Sequence, residues 1–299
     1  MKQSSLLLCL PESIDMDEIP AKELKTKRFQ LLEDIAKELE GDIIFPTCFD
    51  VSVRISKAMR SDSTDLKEIA HEIQHDPLVT SKVLGLANSA AYNPSAQTIT
   101  DLEKALSRTG INTARSVALA CALAQLAQAH KASVFAEQLN EFFIHSLKTA
   151  AIAQVLAKQF TPRITAESAL LAGLIHDLGA FFMLHRVSNY QELVERPQTA
   201  AYLVAQWHES IGAVLLDALG LPEEIIEAVK ETDIPRPTIQ QPRNLSDIIY
   251  IANLFAGGFA EMQKLDLPDL TEPAELQNPN YTQLQTAMDQ ACKELLSSW

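Results

Sequence analysis

The histidines and aspartates of this sequence are its clearest candidates for chemistry, because imidazole is both a common metal ligand and an acid–base group. The chain contains seven histidines: His71, His75, His130, His145, His176, His185 and His208. A histidine directly followed by aspartate occurs twice. The first pair, His75-Asp76, stands before Pro77 at a polar helix end. We expect this first pair to be a solvated helix terminus.

The second pair, His176-Asp177, ends a run of apolar and small residues from 169 to 175. A carboxylate at the end of a buried helix destabilises the fold by several kcal/mol unless a partner satisfies it. His145 lies on a predicted helix upstream of this pair, and His208 lies on one downstream. Neighbouring antiparallel helices would bring the three elements together. Two interpretations remain open for them, a buried ion pair of Asp177 with His145 or His208, and a site for a single divalent cation.

The elements that must position these residues are predicted to be helices. Only 9 glycines occur in 299 residues, so long loops and β-turns lack their usual residues. Asp65 with Glu68 and Thr100 with Glu103 have the spacing of capping pairs, and Gly110 is a natural helix end. Residues 113–128 are apolar nearly all round, which predicts a buried central helix. We find no strand pattern after the N-terminal arm and predict an all-α fold.

Hydrophobic periodicity predicts the longer helices and a division of the chain. The predicted helices cover residues 21–40, 78–90, 113–128, 135–160, 166–177, 200–219, 244–262 and 281–296. The predicted division has an N-terminal arm and helix (1–41), a main helical domain (42–262), and a linker with a C-terminal helix (263–299). Within the main domain, an N-terminal subdomain (42–130) shares its core with a second subdomain (131–262).

The charge balance argues against nucleic-acid binding. The 25 Lys and Arg residues face 39 Asp and Glu residues, for a net charge of −14 and a pI near 4.9. Such a surface repels phosphate backbones, and no local basic patch occurs in the sequence.

Membrane insertion and disulfide formation are not expected either. The longest early apolar run, residues 6–10, is too short for a membrane span or a secretory signal. The four cysteines, Cys9, Cys48, Cys121 and Cys292, are scattered and form no CxxC pair. They are expected to be reduced thiols, so we predict a cytoplasmic protein.

Several stretches together resemble one known family. They are residues 76–80, the run from Val83 to Ala90, the helix from Ile99 to Gly110, the run from Gly173 to Gly179, His208 with Gly212, and Leu221-Pro222. In this order they resemble the HDOD domain family, the HD-related output domain of bacterial signalling proteins. The resemblance covers about residues 42–258. It implies an HD-like helical bundle and a place in bacterial signal transduction, near cyclic-dinucleotide or two-component systems.

The same resemblance exposes departures from the catalytic members of the HD superfamily, which are metal-dependent phosphohydrolases. Their site ordinarily ends with an Asp on a late helix, where this chain has Asn253. Active two-metal relatives have two histidines after the Leu-Pro helix, where this chain has Lys230, Glu231 and Thr232. A lysine often follows the His-Asp-Leu-Gly element, and here the residue is Ala180.

The count of ligands therefore favours a non-catalytic protein. At most His145, His176, Asp177 and His208 remain, too few to hold two metals and generate hydroxide. We expect no catalytic residue and no cofactor beyond one optional divalent metal. The predicted function is a regulatory protein that binds other signalling proteins. The alternatives are a metal-dependent phosphohydrolase (phosphodiesterase or nucleotidase) with a reduced site, and a sensor of a small ligand or nucleotide. The sequence does not predict an oligomeric state.

Overall fold

The computed structural model describes residues 31, 33–35, 37, 45–59, 65–89, 92–94, 97–129, 133–161, 163–263 and 270–299. All regular elements among these residues are helical, which confirms the all-α prediction. The α-helices are α1 (Asp50–Met59), α2 (Leu66–Ile73), α3 (Pro77–Ala87), α4 (Leu102–Thr109), α5 (Ile111–Ala129), α6 (Ala136–Phe160), α7 (Ala166–Ile175), α8 (Leu178–Val187), α9 (Gln191–Val194), α10 (Pro197–Ala218), α11 (Glu223–Ala228), α12 (Leu245–Asn253), α13 (Phe259–Met262), α14 (Pro279–Thr282) and α15 (Gln285–Ser297).

Three short segments have other helical geometries. Thr47–Phe49 and Ala274–Gln277 are 3₁₀-helices, and Leu254–Gly258 is a π-helix. The predicted arm of the first twenty residues lies outside the described part of the chain. Of the predicted helix over 21–40, residues 31, 33–35 and 37 are described, and they are helical.

Aspartate caps begin several helices, as the sequence pattern predicts. The Asp65 carboxylate accepts a hydrogen bond from the backbone N–H of Lys67 at the start of α2. At α4 the cap is Asp101 rather than Thr100, because the Asp101 carboxylate accepts from the N–H of Lys104. Such caps satisfy N–H groups that have no partner within the helix.

The sequence prediction of the helices is wrong in three places. The predicted helix over 244–262 is interrupted by the π-helix, in which Gly257 has a φ of 116° that other residues rarely adopt. The predicted helix over 281–296 is two helices, α14 and α15. Helix α8 was not predicted, because its continuous apolar sequence shows no helical period.

Helix α5 is the element around which the other helices pack. It contacts α1, α3 and α4 of the N-terminal half and also α6, α7 and α8 of the second half. Buried residues of α5 therefore belong to two apolar clusters, with Cys121 in the first and Leu119 and Leu123 in the second. The N-terminal subdomain shares a core with the HD-like part, as predicted. The residue boundaries of the predicted domains stay a prediction.

A buried arginine on α5 also connects the two halves. The Arg115 guanidinium donates hydrogen bonds to Ser56 Oγ on α1 and to the carbonyls of Leu219 and Gly220, just after α10. The donor–acceptor distances are 3.1, 3.1 and 2.9 Å. Because a charged donor satisfies both carbonyls, this contact stabilises the junction between α1, α5 and the end of α10.

Two glycines allow the helices around the His-Asp element to approach closely. A Cβ atom on Gly173 in α7 would lie 2.8 Å from the backbone of Ala150 in α6. A Cβ on Gly179 in α8 would lie 1.9 Å from the carbonyl oxygen of His208 in α10. Neither separation is sterically possible, so both positions require glycine. These two contacts bring α6 and α10 to the turn between α7 and α8.

The C-terminal helix α15 packs along α6. After it, the ring of Trp299 lies edge-on to that of Phe143, with centroids 5.7 Å apart. The Lys82 ammonium of α3 lies 4.4 Å from the centre of the Trp299 ring. This end of the chain therefore contacts both halves. Residues 264–269 of the predicted linker lie outside the described part.

One stretch, Ala166–Val187, is long and apolar enough to cross a membrane by length and composition. It consists of α7, α8 and the turn between them, and 83% of its most apolar window is buried inside the protein. The stretch is therefore accounted for as the centre of the core. Cys48, Cys121 and Cys292 are free thiols, as predicted, and Cys9 lies outside the described residues.

Candidate functional site

The structure brings together all four residues that the sequence singled out. His145 extends from α6, His176 and Asp177 form the turn between α7 and α8, and His208 extends from α10. The imidazole Nε2 atoms of His145 and His176 lie 4.0 and 3.3 Å from Asp177 Oδ2. His208 Nε2 lies 3.9 Å from the other carboxylate oxygen of Asp177. The predicted constellation thus centres on the Asp177 carboxylate.

A fifth residue, Asp233, completes the cluster and was missed in the sequence. Its Oδ2 atom lies 3.2 Å from His208 Nε2, closer than any oxygen of Asp177. The predicted count of at most four ligands is therefore wrong. The predicted ion pair of Asp177 with His145 or His208 stays a prediction, because the two Nε2 atoms lie 4.0 and 3.9 Å from its carboxylate oxygens, within ion-pair range but beyond hydrogen-bonding range. The hydrogen-bonded partner of His208 is Asp233.

The loop that carries Asp233 is held in place by the residue after His208. The Glu209 carboxylate accepts hydrogen bonds from the backbone N–H groups of Glu231 and Asp233 and from the Thr232 hydroxyl. Glu231 has a φ of 56°, a left-handed conformation that costs about 1 kcal/mol or more in a residue other than glycine. The three hydrogen bonds to Glu209 maintain this conformation and direct Asp233 toward His208.

Asn253 occupies the position where the resemblance implies an aspartate. Its Oδ1 atom lies 2.9 Å from His145 Nε2, and its Nδ2 donates to the Thr232 carbonyl and to Asp233 Oδ1. Because Nδ2 is the donor to both of those oxygens, Oδ1 is the atom that faces His145. Nε2 of His145 must therefore carry a hydrogen, and it has no lone pair to offer a metal.

The other two imidazoles have the opposite orientation. His176 Nδ1 lies 2.8 Å from the Gly173 carbonyl, and His208 Nδ1 lies 3.0 Å from the Val204 carbonyl. Both Nδ1 atoms donate to these oxygens, which turns Nε2 toward the two carboxylates. Metal-binding histidines commonly have this arrangement. His176 Nε2 is buried and has no hydrogen-bond partner among the described residues.

Burial and charge shift the pKa of each group in the cluster. Burial lowers the pKa of His176 to about 4, so this ring is neutral at pH 7. Burial also raises the pKa of Asp177. Burial acts to lower the pKa of His208, but the hydrogen bond and charge of Asp233 raise it overall. Burial opposes ionisation of Asp233, but His208 lowers its pKa overall. Without a metal, His208 and Asp233 therefore form a buried ion pair.

The donor atoms suit one divalent transition metal. Two groups have ligand atoms within 4.8 Å of one another, His145 with His176 and Asp177, and Asp177 with His208 and Asp233. Imidazole and carboxylate together are ligands for zinc, iron and manganese. Asp177, His208 and Asp233 fit such an ion, because their ligand atoms lie within 4.8 Å of one another and two carboxylates balance its charge. The unsatisfied Nε2 of His176 lies beside this group, 3.3 Å from Asp177 Oδ2. His145 does not fit, because Asn253 holds its Nε2–H.

Little of the cluster reaches solvent. His176 is 1% exposed, Asp177 and His208 are each 5% exposed, and Asn253 is fully buried. The side chains with most access are His145 at 12% and Asp233 at 15%. A phosphate ester would have to displace side chains to contact the centre of this cluster.

Two positions are relevant to phosphate binding: position 180 holds no cation, and the Arg236 guanidinium is hydrogen-bonded to other groups. Ala180, at the position where the resemblance implies a lysine, is fully buried. The Arg236 guanidinium donates to the carbonyls of Lys230 and Glu231 and to Ser246 Oγ. Arg236 also lies over the Tyr250 ring, 4.9 Å from its centre. These contacts direct Arg236 away from the role of a phosphate ligand.

The sequence was compared with models of protein families and with curated proteins. A family model for the HDOD domain matches residues 45–235. This range includes all of the clustered side chains except Asn253. No curated protein matches the sequence.

Solved structures share the fold at low sequence identity. A candidate metal-dependent phosphohydrolase from Shewanella amazonensis has a TM-score of 0.61 at 22% identity, over 89% of this chain and 99% of that one. An HDOD domain protein of unknown function from Geobacter sulfurreducens has a TM-score of 0.58 at 19% identity, over 92% and 99% of the two chains. A candidate signal transduction protein from Marinobacter aquaeolei has a TM-score of 0.52 at 18% identity, over 91% and 66%. These similarities concern the fold alone.

Proposed function

The chain belongs to the HDOD domain family, and from that premise we propose that it is a signal-transduction protein that acts through contacts with other signalling proteins rather than by hydrolysis. The observation that carries this proposal is the hydrogen bond between His145 Nε2 and Asn253 Oδ1. A site with two metals needs ligands for both ions, and this contact removes one imidazole from the set.

The closed geometry of the cluster supports the same proposal. His176, Asp177 and His208 are almost fully buried, and Asn253 fills the remaining side with hydrogen bonds to the loop of Asp233. Hydrolysis requires a water molecule and a substrate phosphate in contact with the same metal. The burial of these side chains disfavours such an arrangement, whereas a protein partner would need only the outer surface of the helices.

The cluster would then have a structural role. It joins α6, the turn between α7 and α8, α10 and the loop at Asp233, four segments that are distant in sequence. In one form the His208–Asp233 ion pair connects them. In the other, Asp177, His208 and Asp233 hold one divalent cation, which would supply positive charge to neutralise the two carboxylates.

Family membership and composition support our proposal that the protein takes part in signal transduction in the cytoplasm. Among the structural relatives, one is described as a candidate signal transduction protein. The net charge of −14 disfavours nucleic acid as a partner. In the described part of the chain, the apolar stretch Ala166–Val187 lies mostly inside the protein, and this position supports a cytoplasmic setting.

Asp233 favours a second candidate function, a metal-dependent phosphohydrolase with one metal. Asp177, Asp233 and His208 supply two carboxylates and one imidazole, and three protein ligands are the usual number for a single catalytic zinc ion. In this alternative, His145 or Asn253 would orient the attacking water. One structural relative is described as a candidate metal-dependent phosphohydrolase, at 22% identity.

Complementation of a deletion strain distinguishes the two functions. Asp177→Asn and Asp233→Asn keep the shape of the side chains but remove the charges that a catalytic metal requires. We propose that both variants restore the phenotype that the deletion removes. Both must be expressed at the level of the wild type and be shown by circular dichroism to be folded. Folded variants that bind their partners but fail to restore the phenotype would contradict the proposal and support the hydrolase.

A further inference from the structure

Two exposed histidines at the end of α2 form a pair that the cluster described above does not include. His71 and His75 are four residues apart in the sequence His71-Glu72-Ile73-Gln74-His75. His71 lies in the last turn of α2 and His75 lies two residues beyond Ile73, where α2 ends; because the C-cap residue Gln74 still has αR backbone angles, the two side chains lie on the same side. Their Nε2 atoms face each other at 3.5 Å, and their rings are nearly perpendicular with centroids 4.9 Å apart.

The distance between the two nitrogens matches the geometry of a metal chelate. Two nitrogens that are each about 2.1 Å from a tetrahedral zinc ion lie about 3.4 Å from one another. The observed separation of 3.5 Å therefore requires little movement of either ring. We infer that His71 and His75 bind a divalent transition metal ion, of the zinc and copper class, on the surface of the N-terminal half.

The residues around the pair suit this role. The atom of the Gln74 amide that lies 2.7 Å from His71 Nδ1 is Nε2, which donates to it. A half-turn of this exposed amide places its oxygen there instead, to accept the Nδ1–H and leave the Nε2 lone pair for the metal. A cavity of about 560 Å³ adjoins His75 and is lined by the carboxylates of Asp50, Glu72 and Asp76. Arg54 also lines this cavity and pairs with Glu72, so Asp50 and Asp76 supply its net negative charge, which increases the attraction for a cation.

The five-residue pattern equals the His-Glu-x-x-His pattern of zinc metalloproteases, in which the glutamate is a general base. Here the carboxylate of Glu72 is not free for that role, because its Oε2 lies 2.8 Å from Nε of Arg54. Oδ1 of Asp76 accepts from the N–H groups of Leu78 and Val79, which holds this carboxylate at the start of α3. The site therefore binds metal with two protein ligands and water, and does not catalyse hydrolysis.

The proposed surface site is separate from the buried cluster. Helix α2 packs against α1 and α4, whereas the buried cluster is formed by α6, the α7–α8 turn, α10 and the loop that follows α11. Loss of one site should therefore leave the other unchanged. This separation allows the surface site to be tested without any assumption about the function of the buried cluster.

The test is a titration of the full chain with Zn²⁺ against a chromophoric chelator, for the wild type, His71→Gln, His75→Gln and Asp177→Asn. We expect each surface variant to bind one equivalent fewer than the wild type at micromolar free zinc. Asp177→Asn is the matched control, because it alters the buried cluster and should retain the surface equivalent. Circular dichroism and melting temperature establish that the exposed substitutions leave the fold intact.

Electron paramagnetic resonance of the Cu²⁺ complex gives an independent readout. We expect a signal with coupling to two nitrogens, which disappears in both His71→Gln and His75→Gln. An equal number of bound zinc equivalents in the wild type and in both folded surface variants would overturn the inference. So would a copper signal that survives in both.

Discussion

The side-chain oxygen of Asn253 lies 2.9 Å from Nε2 of His145, and this contact determines how many imidazoles of the buried cluster can bind a metal. An aspartate at position 253, which the family resemblance implies for hydrolases, would add a negative charge and a metal ligand. The amide instead accepts the hydrogen of His145 and donates to Asp233. The same residue thereby engages one imidazole and holds the loop of Asp233 without any metal.

Asn253→Asp should convert the cluster into a stronger metal site. Without metal, the new carboxylate would lie next to Asp233, where the Asn253 amide now lies 2.9 Å from Asp233 Oδ1, and repulsion should lower the melting temperature. With Mn²⁺ or Zn²⁺ the melting temperature should recover, and affinity should exceed that of the wild type about tenfold or more. Thermal melts with and without metal measure both effects. Asn253→Ala, the control, adds no ligand, so metal should raise its melting temperature by less than that of Asn253→Asp; equal rescue of both variants would contradict the prediction.

Once a chelator has removed any metal, the free energy of unfolding of the protein should decrease as the pH rises above neutral. The pKa of His208 is raised from an ordinary value of 6.5 by Asp233, against the effect of burial. Its contribution to stability is complete below about pH 6.5 and is lost as the pH rises toward the folded-state pKa. The expected slope between about pH 7 and pH 9 is up to about 1.4 kcal/mol per pH unit.

Urea unfolding of the wild type and of His208→Gln measures this slope. The variant lacks the titrating group and should show a smaller decline over the same range. If the free energies of unfolding of the two proteins decline in parallel, His208 is not the protonated partner of Asp233.

Gly179→Ala should disrupt the packing that brings His208 to the His-Asp turn. The added methyl group would lie 1.9 Å from the His208 carbonyl oxygen, so α8 and α10 must separate. We expect a loss of about 3 kcal/mol or more in the free energy of unfolding. Gly85→Ala is the matched control within α3, because nothing lies within 4 Å of its added Cβ. That control should gain about 0.5–1 kcal/mol through better helix propensity. Similar effects of the two substitutions would refute the packing argument.

Arg115→Met should weaken the connection between the two halves of the protein. Methionine fills a similar volume but donates no hydrogen bond to the carbonyls of Leu219 and Gly220. The expected loss is about 3 kcal/mol of unfolding free energy, measured by chemical denaturation. Lys37→Met removes only an exposed ion pair with Glu33 and should change stability by about 0.5 kcal/mol or less. A loss for Arg115→Met as small as that of the control would show that the buried guanidinium contributes no connection.

The sequence was informative wherever one local rule decided the outcome. Capping residues predicted two helix starts, because a side-chain oxygen within reach of free N–H groups acts over three residues. Asp65 caps α2 as expected, and the cap of α4 is Asp101, one residue after the predicted Thr100. The apolar run before His176 predicted a buried helix that ends in two polar groups. Those features were enough to predict the all-α fold and to predict that His145, His176, Asp177 and His208 lie close together.

The sequence failed where a contact depends on distant segments. Asp233 lies in a loop whose sequence shows no periodicity. Its position depends on three hydrogen bonds between this loop and Glu209, which is 24 residues before Asp233 in the sequence. The one available signal was its place directly after Lys230-Glu231-Thr232, the segment already compared with catalytic relatives. The π-helix after Asn253 was missed for a similar reason, because an apolar pattern does not distinguish α from π hydrogen bonding.

The measurement that tests the central proposal most directly is hydrolysis by the purified full chain, loaded in turn with Mn²⁺, Fe²⁺ and Zn²⁺. The substrates are a chromogenic phosphodiester, nucleoside phosphates and cyclic dinucleotides, and His176→Ala provides the background. We predict that the wild type and the variant release phosphate products at the same rate with every metal. Metal-dependent turnover by the wild type that disappears in folded His176→Ala would contradict the proposal and assign the protein to the hydrolases.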